Sequence, residues 1–291
     1  WTGIRPSFAI EGLRFNSPNY ASSPLLAQNI SGQLSWLSFY HLAPYFHEIS
    51  FDQVQVYAQR NAKGIVSIAG IPIDSNAGDF ATENWLLAQD NIQINNAKIY
   101  WEDQKSRKLK TSIDIQSARF TNGIRSHEGQ LITQTPWSSN PIKVEADFVH
   151  HLGGQAGDWR DWVGKFSWDL ADLNLSQISQ DLNLPLYALE GKLNSKGSLK
   201  LDGGRAAGGQ MSLSADQLKA QLNKDEDPVE FGRLETDLVQ DTDGGLNSIT
   251  TKTLAWRNID SPSTAPLEKL SPITFRWRPP KDGGEIKDFG F

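Results

Sequence analysis

The residues of this chain that could do chemistry are dispersed, and no familiar catalytic spacing is present. There is no Gly-x-Ser-x-Gly nucleophile elbow, no His-Glu-x-x-His motif and no glycine-rich loop that ends in Gly-Lys-Ser or Gly-Lys-Thr. Gly203 and Gly204 stand between two strand patterns, so a hairpin turn explains them better than a phosphate site. The sequence therefore predicts no catalytic residue, no cofactor and no enzyme activity.

Histidines offer no better case for a metal centre. His150 and His151 are adjacent, and neighbouring residues of a strand point to opposite faces, so they would not share a metal ion. His41, His47 and His127 are scattered and are expected at the surface or at the ends of elements. Cysteine is absent, which excludes thiolate ligands and disulfides. We predict no metal site.

Two clusters of charged and aromatic residues leave alternatives open. Asp158 and Asp161 could flank a sugar that stacks on Trp159 and Trp162, as in a carbohydrate-binding module. The interpretation that we favour is that this segment enters a strand and that its indoles join the core. A tryptophan-quenching titration with glycans separates the two interpretations.

A basic cluster follows the third strand repeat. It could contact anionic lipid headgroups, or it could be a solvated hairpin tip that discourages pairing at a sheet edge. Its members are Lys105, Arg107, Lys108 and Lys110.

The composition restricts the classes of partner that this chain is expected to bind. The chain has 291 residues and a net charge of -6, which argues against nucleic acid as a partner. No apolar run approaches the ~20 residues of a membrane-spanning helix. The sequence begins at Trp1 without an initiator Met, so we expect a processed product or a fragment from which a signal or anchor has been removed.

The dominant pattern is an eight-residue repeat, in which two alternating apolar stretches flank a central polar pair. Alternation of this kind predicts a strand with one apolar face. The six copies are residues 8–15 (FAIEGLRF), 49–56 (ISFDQVQV), 92–99 (IQINNAKI), 113–120 (IDIQSARF), 168–175 (WDLADLNL) and 213–220 (LSADQLKA).

The central pair shifts the alternation by one position, so the apolar side chains of the second half of each strand should point to the opposite face of the sheet. A β-bulge there would restore the phase and bend the strand. The predicted bulges are Glu11-Gly12, Asp52-Gln53, Asn95-Asn96, Gln116-Ser117, Ala171-Asp172 and Asp216-Gln217.

The predicted fold is mainly β: an extended, strongly curved antiparallel sheet that forms a hydrophobic groove, with a few short helices. Short helices are expected within residues 37–46, 79–89 and 176–182, the first with aromatic residues that cap one end of the sheet. The loop at residues 153–157 is the best boundary, which gives segments 1–152 and 153–291 of what we expect to be one continuous elongated unit.

The apolar positions of the repeats are the candidate lining of the groove, although in an ordinary β-sandwich the same residues would form a closed core. The candidates are Phe8, Ile10, Leu13, Phe15, Ile49, Phe51, Val54, Val56, Ile92, Ile94, Ile99, Ile113, Ile115, Phe120, Trp168 and Leu170.

The order of motifs resembles the N-terminal region of the YhdP branch of the AsmA-like proteins over roughly residues 1–220. Each motif alone is unspecific, and their order carries the resemblance. In sequence they are Trp1 with residues 3–6 (GIRP), 34–37 (LSWL), 66–71 (VSIAGI), 85–89 (WLLAQ) before 92–101, Asp158-Trp159, 164–166 (GKF) and Leu184-Pro185.

The resemblance implies a long periplasmic protein of Gram-negative bacteria, anchored in the inner membrane by a helix that would precede Trp1. It implies phospholipids as partners and a role in their transport to the outer membrane through an extended hydrophobic β-groove. It supplies no catalytic residues. The alternative is a structural or assembly factor for the outer membrane that has a closed β core and binds envelope proteins through its edge strands.

Overall fold

A computed structural model describes residues 4–17, 20–68, 71–73, 80–104, 109–182, 188–221, 223–243, 245–277 and 289–290. Strands contain 68% of the described residues, which confirms the mainly β prediction. Contacts between Cα atoms divide the chain into two units. Unit 1 comprises Trp1–Pro136 and Pro141–Trp162, and unit 2 comprises Trp137–Asn140 and Val163–Phe291. A boundary in the loop at residues 153–157 stays a prediction.

Unit 1 consists of long strands joined by short connections. Its strands are β1 (Ser7–Ser17), β2 (Tyr20–Leu34), β3 (Phe46–Arg60), β4 (Val66–Ile68), β5 (Ile71–Ile73), β6 (Asn91–Asp103), β7 (Leu109–Asn122), β8 (Ser126–Gln134) and β9 (Ile142–His150). Its helices are α1 (Leu37–His41), α2 (Ala81–Leu87) and a single 3-10 turn (Trp159–Asp161).

The strands of unit 1 pair in the order β1, β2, β3, β6, β7, β8, β9, and β4 and β5 extend from the end of β3. The sheet is open rather than closed. The open sheet contradicts the closed β core that the assembly-factor alternative required.

One pairing corrects the antiparallel prediction, because β3 and β6 run parallel. Residues 61–90 between them carry β4, β5 and α2, and they return the chain to the end of the sheet where β3 begins. A crossover of this length is what a parallel pair requires. Apolar alternation reads identically in both directions, so the repeat could not reveal the strand direction.

Unit 2 is a second open, antiparallel arrangement. Its strands are β10 (Trp162–Asn174), β11 (Ala188–Asp202), β12 (Arg205–Gln221), β13 (Val229–Asp243), β14 (Leu246–Arg257), β15 (Glu268–Leu270), β16 (Ile273–Trp277) and β17 (Phe289–Gly290), and its helix is α3 (Leu175–Leu182). Strands β10 to β14 pair in chain order, β15 and β16 both pair with β14, and β17 pairs with β16. Gly203 and Gly204 have φ of 58° and 67° in the β11–β12 hairpin, as a two-residue type I′ turn requires.

The centre of the repeat is irregular, as predicted. In five of the six copies the second residue of the polar pair has a left-handed backbone, with φ between 50° and 71°. These residues are Gly12, Gln53, Asn96, Asp172 and Gln217. Phe51 and Val54 flank one such bend and pack against the same apolar cluster, so the bend keeps both halves of the strand on one face.

The irregularity is a bulge in some strands only. Ala171 and Asp172 face Asn194 alone, which is a two-against-one bulge. Pairing through Gly12, Gln53 and Asn96 keeps its register instead, so the bulge prediction is wrong for these three copies. In these copies the neighbouring strand carries its own polar pair directly opposite. Each residue therefore has a residue across from it, and no extra residue forms a bulge.

Side chains of the polar pairs tie adjacent strands together. Asn96 donates from Nδ2 to Asp52 Oδ1 at 2.9 Å, and the Asp172 amide donates to Asn194 Oδ1 at 2.9 Å. Arg233 donates from Nη1 to Asp216 Oδ1 at 2.7 Å. These contacts satisfy polar groups where the regular ladder is interrupted.

The helices correct a second expectation. The sequence predicts that α2 buries Phe80, Trp85 and either Leu86 or Leu87. Phe80 is buried and Leu87 is half-buried, but Trp85 and Leu86 are 37% and 43% exposed. Phe39 and Tyr40 of α1 were expected to cap the sheet, and instead they are 57% and 83% exposed. α1 is too short to fold its aromatic side chains back over the strand ends.

The left-handed backbone at Gln53 makes a stability prediction. Valine is strongly disfavoured at positive φ, so Gln53→Val should destabilise unit 1 by about 1–2 kcal/mol, measured by urea unfolding. Gln55→Val lies two residues further along β3 and should change stability by less than about 0.5 kcal/mol. Equal losses in the two variants would contradict the assigned role of the left-handed residue.

Candidate functional site

The apolar face of unit 1 is a single cluster of side chains from the repeats. Six members are buried, and the others are partly exposed. The buried members are Ala27, Ile30, Ile49, Val54, Ile92 and Ala97, and the partly buried ones are Phe8, Leu25, Phe46, Phe51, Val56, Ile94, Ile115 and Phe120.

Most of the predicted lining residues lie on this face. Nine of them belong to the cluster, namely Phe8, Ile49, Phe51, Val54, Val56, Ile92, Ile94, Ile115 and Phe120. Ile10 pairs with Ile30 and Leu13 with Ala27, and Ile10 and Leu13 remain 45% and 39% exposed. Whether any of these residues contacts lipid stays a prediction.

Three further candidates lie outside this cluster. Ile99 pairs with both Val56 and Ile113 and therefore shares their face of the sheet. Phe15 lies in β1 opposite Leu25, and its side chain is outside the described part of the structure.

Two further copies of the repeat were not predicted from the sequence. Residues 25–32 (LLAQNISG) in β2 and 229–236 (VEFGRLET) in β13 follow the same spacing. Ala27 and Ile30 flank the polar pair of β2 and are both buried. The signal was weak because alanine, glycine and threonine occupy apolar positions of these copies.

Aromatic rings of the apolar face lie across glycines of the neighbouring strand. Such pairs are directly opposed on adjacent strands, and a methyl group on the glycine would approach the ring closely. The approach would be 3.0 Å for Phe8 over Gly32, 3.3 Å for Phe120 over Gly129 and 2.6 Å for Trp168 over Gly197. Glycine lets the rings lie flat on the sheet, which keeps the apolar layer thin.

In unit 2 the predicted residues Trp168 and Leu170 also lie on an apolar face. Trp168 donates from Nε1 to Ser195 Oγ at 2.9 Å, which fixes its ring across the strand. Beside it is an apolar notch of about 120 Å³. Its lining includes Trp168, Leu199, Met211, Leu238 and Ile249. Only Trp168 was predicted from the sequence.

Unit 2 also has a depression of about 700 Å³, whose lining includes Leu170, Leu213, Leu254 and Leu270 together with polar side chains. Its ionic groups are largely engaged: Lys196 donates to Asp169 at 3.0 Å, and Asp237 accepts from Ser212 and Thr253. These two hydrogen bonds lower the pKa of the Asp237 carboxyl. The depression therefore combines apolar side chains, among them the predicted Leu170, with polar groups that are hydrogen-bonded to one another.

A buried polar network closes one end of the unit 1 sheet. The Phe46 amide donates to Gln89 Oε1 at 2.7 Å, and Asn122 donates from Nδ2 to the Gln89 carbonyl at 2.7 Å. Asn122 Oδ1 in turn lies 2.9 Å from His127 Nδ1. Because Asn122 donates from Nδ2 to Gln89, its Oδ1 is the acceptor and the imidazole proton lies on Nδ1. The buried Nε2 of His127 has no hydrogen-bond partner among the described residues.

His127 is thus buried, contrary to the expectation of a surface or capping histidine. It is 2% exposed and stacks between Phe148 and His150 at centroid distances of 5.0 Å and 5.3 Å. Burial, with a smaller contribution from His150, lowers its pKa to about 4. The neutral ring serves as part of the core at neutral pH.

The suspected sugar site is not assembled. Asp158 accepts two hydrogen bonds at 2.7 Å from the Arg160 guanidinium, which lower its pKa. Trp162 stacks on Phe148 at 3.9 Å, whereas Trp159 is 46% exposed. The two indoles therefore do not form one platform.

Other candidate clusters give no site in the described residues. Lys105, Arg107 and Lys108 lie outside them, as does the side chain of Lys110. No three histidine or acidic side chains are placed to share a metal ion in the part that the structure describes. No helix there is both long and apolar enough to cross a bilayer.

Comparison with known families decides the relationship that the motif order suggested. The model of the YhdP family, described as YhdP protein, matches residues 1–263. The chain belongs to the YhdP family. No curated protein and no solved structure matches it. YhdP and its AsmA-like relatives are not a known family of enzymes.

The buried histidine makes this YhdP-family chain sensitive to acid. Its pKa lies near 4 when folded and near 6.5 when unfolded, so the unfolded state binds more protons between these values. Stability conferred by neutral His127 is complete above pH 6.5 and should fall by about 2 kcal/mol between pH 7 and pH 5. Urea unfolding at both pH values measures this loss.

His127→Gln provides the control, because glutamine can still donate to Asn122 but does not titrate. The variant should lose most of the difference between pH 7 and pH 5. An unchanged difference would assign the acid sensitivity to other groups.

The aromatic–glycine pairs predict a coupling. Gly129→Ala places a methyl group 3.3 Å from the Phe120 ring and should destabilise the chain by about 1 kcal/mol. With Phe120→Leu already present, the same change should be neutral or stabilising. A double-mutant cycle by urea unfolding should give a coupling of at least about 0.5 kcal/mol. Additive effects would show that the ring does not need the glycine.

Proposed function

We propose that this chain binds the acyl chains of phospholipids on its apolar β face and acts in periplasmic phospholipid transport between the inner and outer membranes. The observation that carries the proposal is the one-sided apolar face of an open sheet, built from the same repeat strand after strand. Membership of the YhdP family supports a role of the lipid-transport type.

The energetics favour an acyl chain as the ligand. Moving such a chain from a bilayer into water costs about 0.8 kcal/mol per CH₂, or on the order of 12 kcal/mol for about 16 carbons. Contact with an apolar surface offsets most of this cost. Each repeat spans about 26 Å at ~3.3 Å per residue, which is long enough to shield an acyl chain lying along a strand.

Exposure distinguishes this face from a closed core. Ile10 and Leu13 lie on the same side of the sheet as the buried Ile30 and Ala27, yet they are 45% and 39% exposed. Only the last three residues of β1 lack a described side chain. The edge of the apolar face at β1 is therefore open to a ligand.

The groups on this face are apolar contacts rather than acids, bases or nucleophiles. We therefore infer binding without catalysis, and movement of lipid that is passive or driven by partner proteins. The periplasmic location and anchoring in the inner membrane are parts of the proposal that the YhdP relationship supports.

The test is native mass spectrometry of the purified chain with lipid extraction, before and after mixing with phospholipid. Ile10→Asp/Leu13→Asp places two carboxylates on the apolar face. Because both positions are partly exposed, the variant should fold, as circular dichroism can establish. It should retain at least about tenfold less phospholipid than the unmodified chain.

Ser7→Asp/Ala9→Asp is the matched control. Both residues are exposed and lie on the face of β1 opposite Phe8 and Ile10, so the same two charges there should leave lipid retention unchanged. Lipid lost equally from both variants would indicate a general effect of charge. A folded chain that takes up no phospholipid at all would overturn the proposal.

A further inference from the structure

Among the described residues of unit 1, exposed apolar side chains are concentrated around α1. Five large apolar or aromatic residues within a seven-residue stretch are 48% to 93% exposed. We call them the aromatic tip; they are Trp36 (49%), Leu37 (48%), Phe39 (57%), Tyr40 (83%) and Leu42 (93%). A concentration of this kind on a folded protein marks a surface that is covered in use.

The aromatic tip is held in place by the fold. Ser38 Oγ donates to the Tyr45 carbonyl at 2.6 Å and accepts from the Tyr45 amide at 2.9 Å. The Ser35 amide also donates to the Tyr45 carbonyl, at 2.8 Å. The polar side of α1 is thus fixed to the start of β3, and its apolar side chains project into solvent.

Charge and shape indicate what covers the tip. Residues 36–46 (WLSFYHLAPYF) contain no Asp, Glu, Lys or Arg. Side chains as exposed as Tyr40 and Leu42 protrude, so a protein partner would need a deep pocket to bury them. The lipids of a bilayer can rearrange around such side chains without a preformed pocket. Trp36 and Tyr40 combine an apolar ring with a polar group, which suits the interface between headgroups and acyl chains.

An apolar path connects this surface with the apolar face. The Trp85 indole donates to the Pro44 carbonyl at 3.0 Å, beside the tip, and its ring lies 6.3 Å from Phe46. The Phe46 ring lies 5.6 Å from Phe8, and both pack against the buried cluster. A bilayer at the tip would therefore adjoin the face that holds acyl chains.

We propose that the aromatic tip inserts into the interfacial region of a phospholipid bilayer and is the surface through which unit 1 meets a membrane. Passage of lipid from that membrane to the apolar face rests on the proposed function. Insertion of the tip itself does not, because it depends only on the exposed side chains.

The experiment is sedimentation of the chain with phosphatidylcholine vesicles. Tyr40→Ser/Leu42→Asn should bind vesicles at least about tenfold more weakly than the unmodified chain. Asparagine suits position 42, because the backbone there has φ of 51°. Both side chains project from the core, so the urea midpoint should be unchanged.

The matched control is Ile124→Ser/Leu152→Asn. These residues are 95% and 84% exposed in other loops of unit 1, so the control removes similar apolar surface elsewhere. It should bind vesicles as the unmodified chain does. Equal loss in the two variants would overturn the proposal, as would an unmodified chain that does not bind vesicles.

A second measurement distinguishes insertion of the aromatic tip into a membrane from the proposed function in phospholipid transport. Phospholipid supplied in detergent and measured by native mass spectrometry should be retained equally by the tip variant and the unmodified chain. Vesicle binding that depends on the tip, in a chain that retains no lipid, would sustain the membrane contact and reject the transport function. Retention lost in the tip variant would instead place these residues in the lipid site and overturn the proposal.

Discussion

The left-handed residue at the centre of the strand repeat is the constraint on which the one-sided sheet depends. In an extended strand Phe51 and Val54 would point to opposite faces, because they are three positions apart. A single residue at positive φ between them returns both to the same cluster. Apart from Gly12, the chain uses side-chain-bearing residues there, and the conformation costs about 1–2 kcal/mol at Gln53 and Gln217 and less at Asn96 and Asp172. Burial of the apolar residues beyond the bend offsets that penalty, so local strain and tertiary packing support one another.

The apolar layer that results in each unit is thin. Ala27, Ala97 and Ala215 are buried between larger residues, and glycine lies beneath the rings of Phe8, Phe120 and Trp168. Small residues let the large ones lie flat instead of building the interdigitated second layer of a sandwich. At one end of unit 1 the apolar face gives way to the hydrogen-bonded side chains of Gln89 and Asn122 and to His127, whose Nε2 has no partner among the described residues. Protonation of that nitrogen would place an unpaired charge in the buried network, so the network is stable only while the ring is neutral.

Strand positions and their apolar faces could be predicted from the sequence, because alternation with a phase break is a strong local signal. Strand direction could not, since β3 and β6 show the same alternation whether they run parallel or antiparallel. The copy in β2 was hidden because Ala27 and Gly32 carry little hydrophobic signal. The burial of His127 was predictable in principle, because it shares the parity of Leu131 in β8. The exposure of Tyr40 was not, because nothing in the sequence fixes which side of a one-turn helix meets the sheet.

The same physics decides what kind of selectivity such a face can have. An apolar surface discriminates by the area it covers, so one methylene more or less changes binding by about 0.8 kcal/mol, whatever the headgroup. Discrimination between headgroups requires positioned polar partners. In unit 2 the hydroxyl of Ser195 already accepts a hydrogen bond from Trp168, and the carboxylate of Asp237 already accepts from Ser212 and Thr253. On the proposed function, a face of this composition holds acyl chains of many lipids, and any choice among headgroups must be made where the lipid enters or leaves.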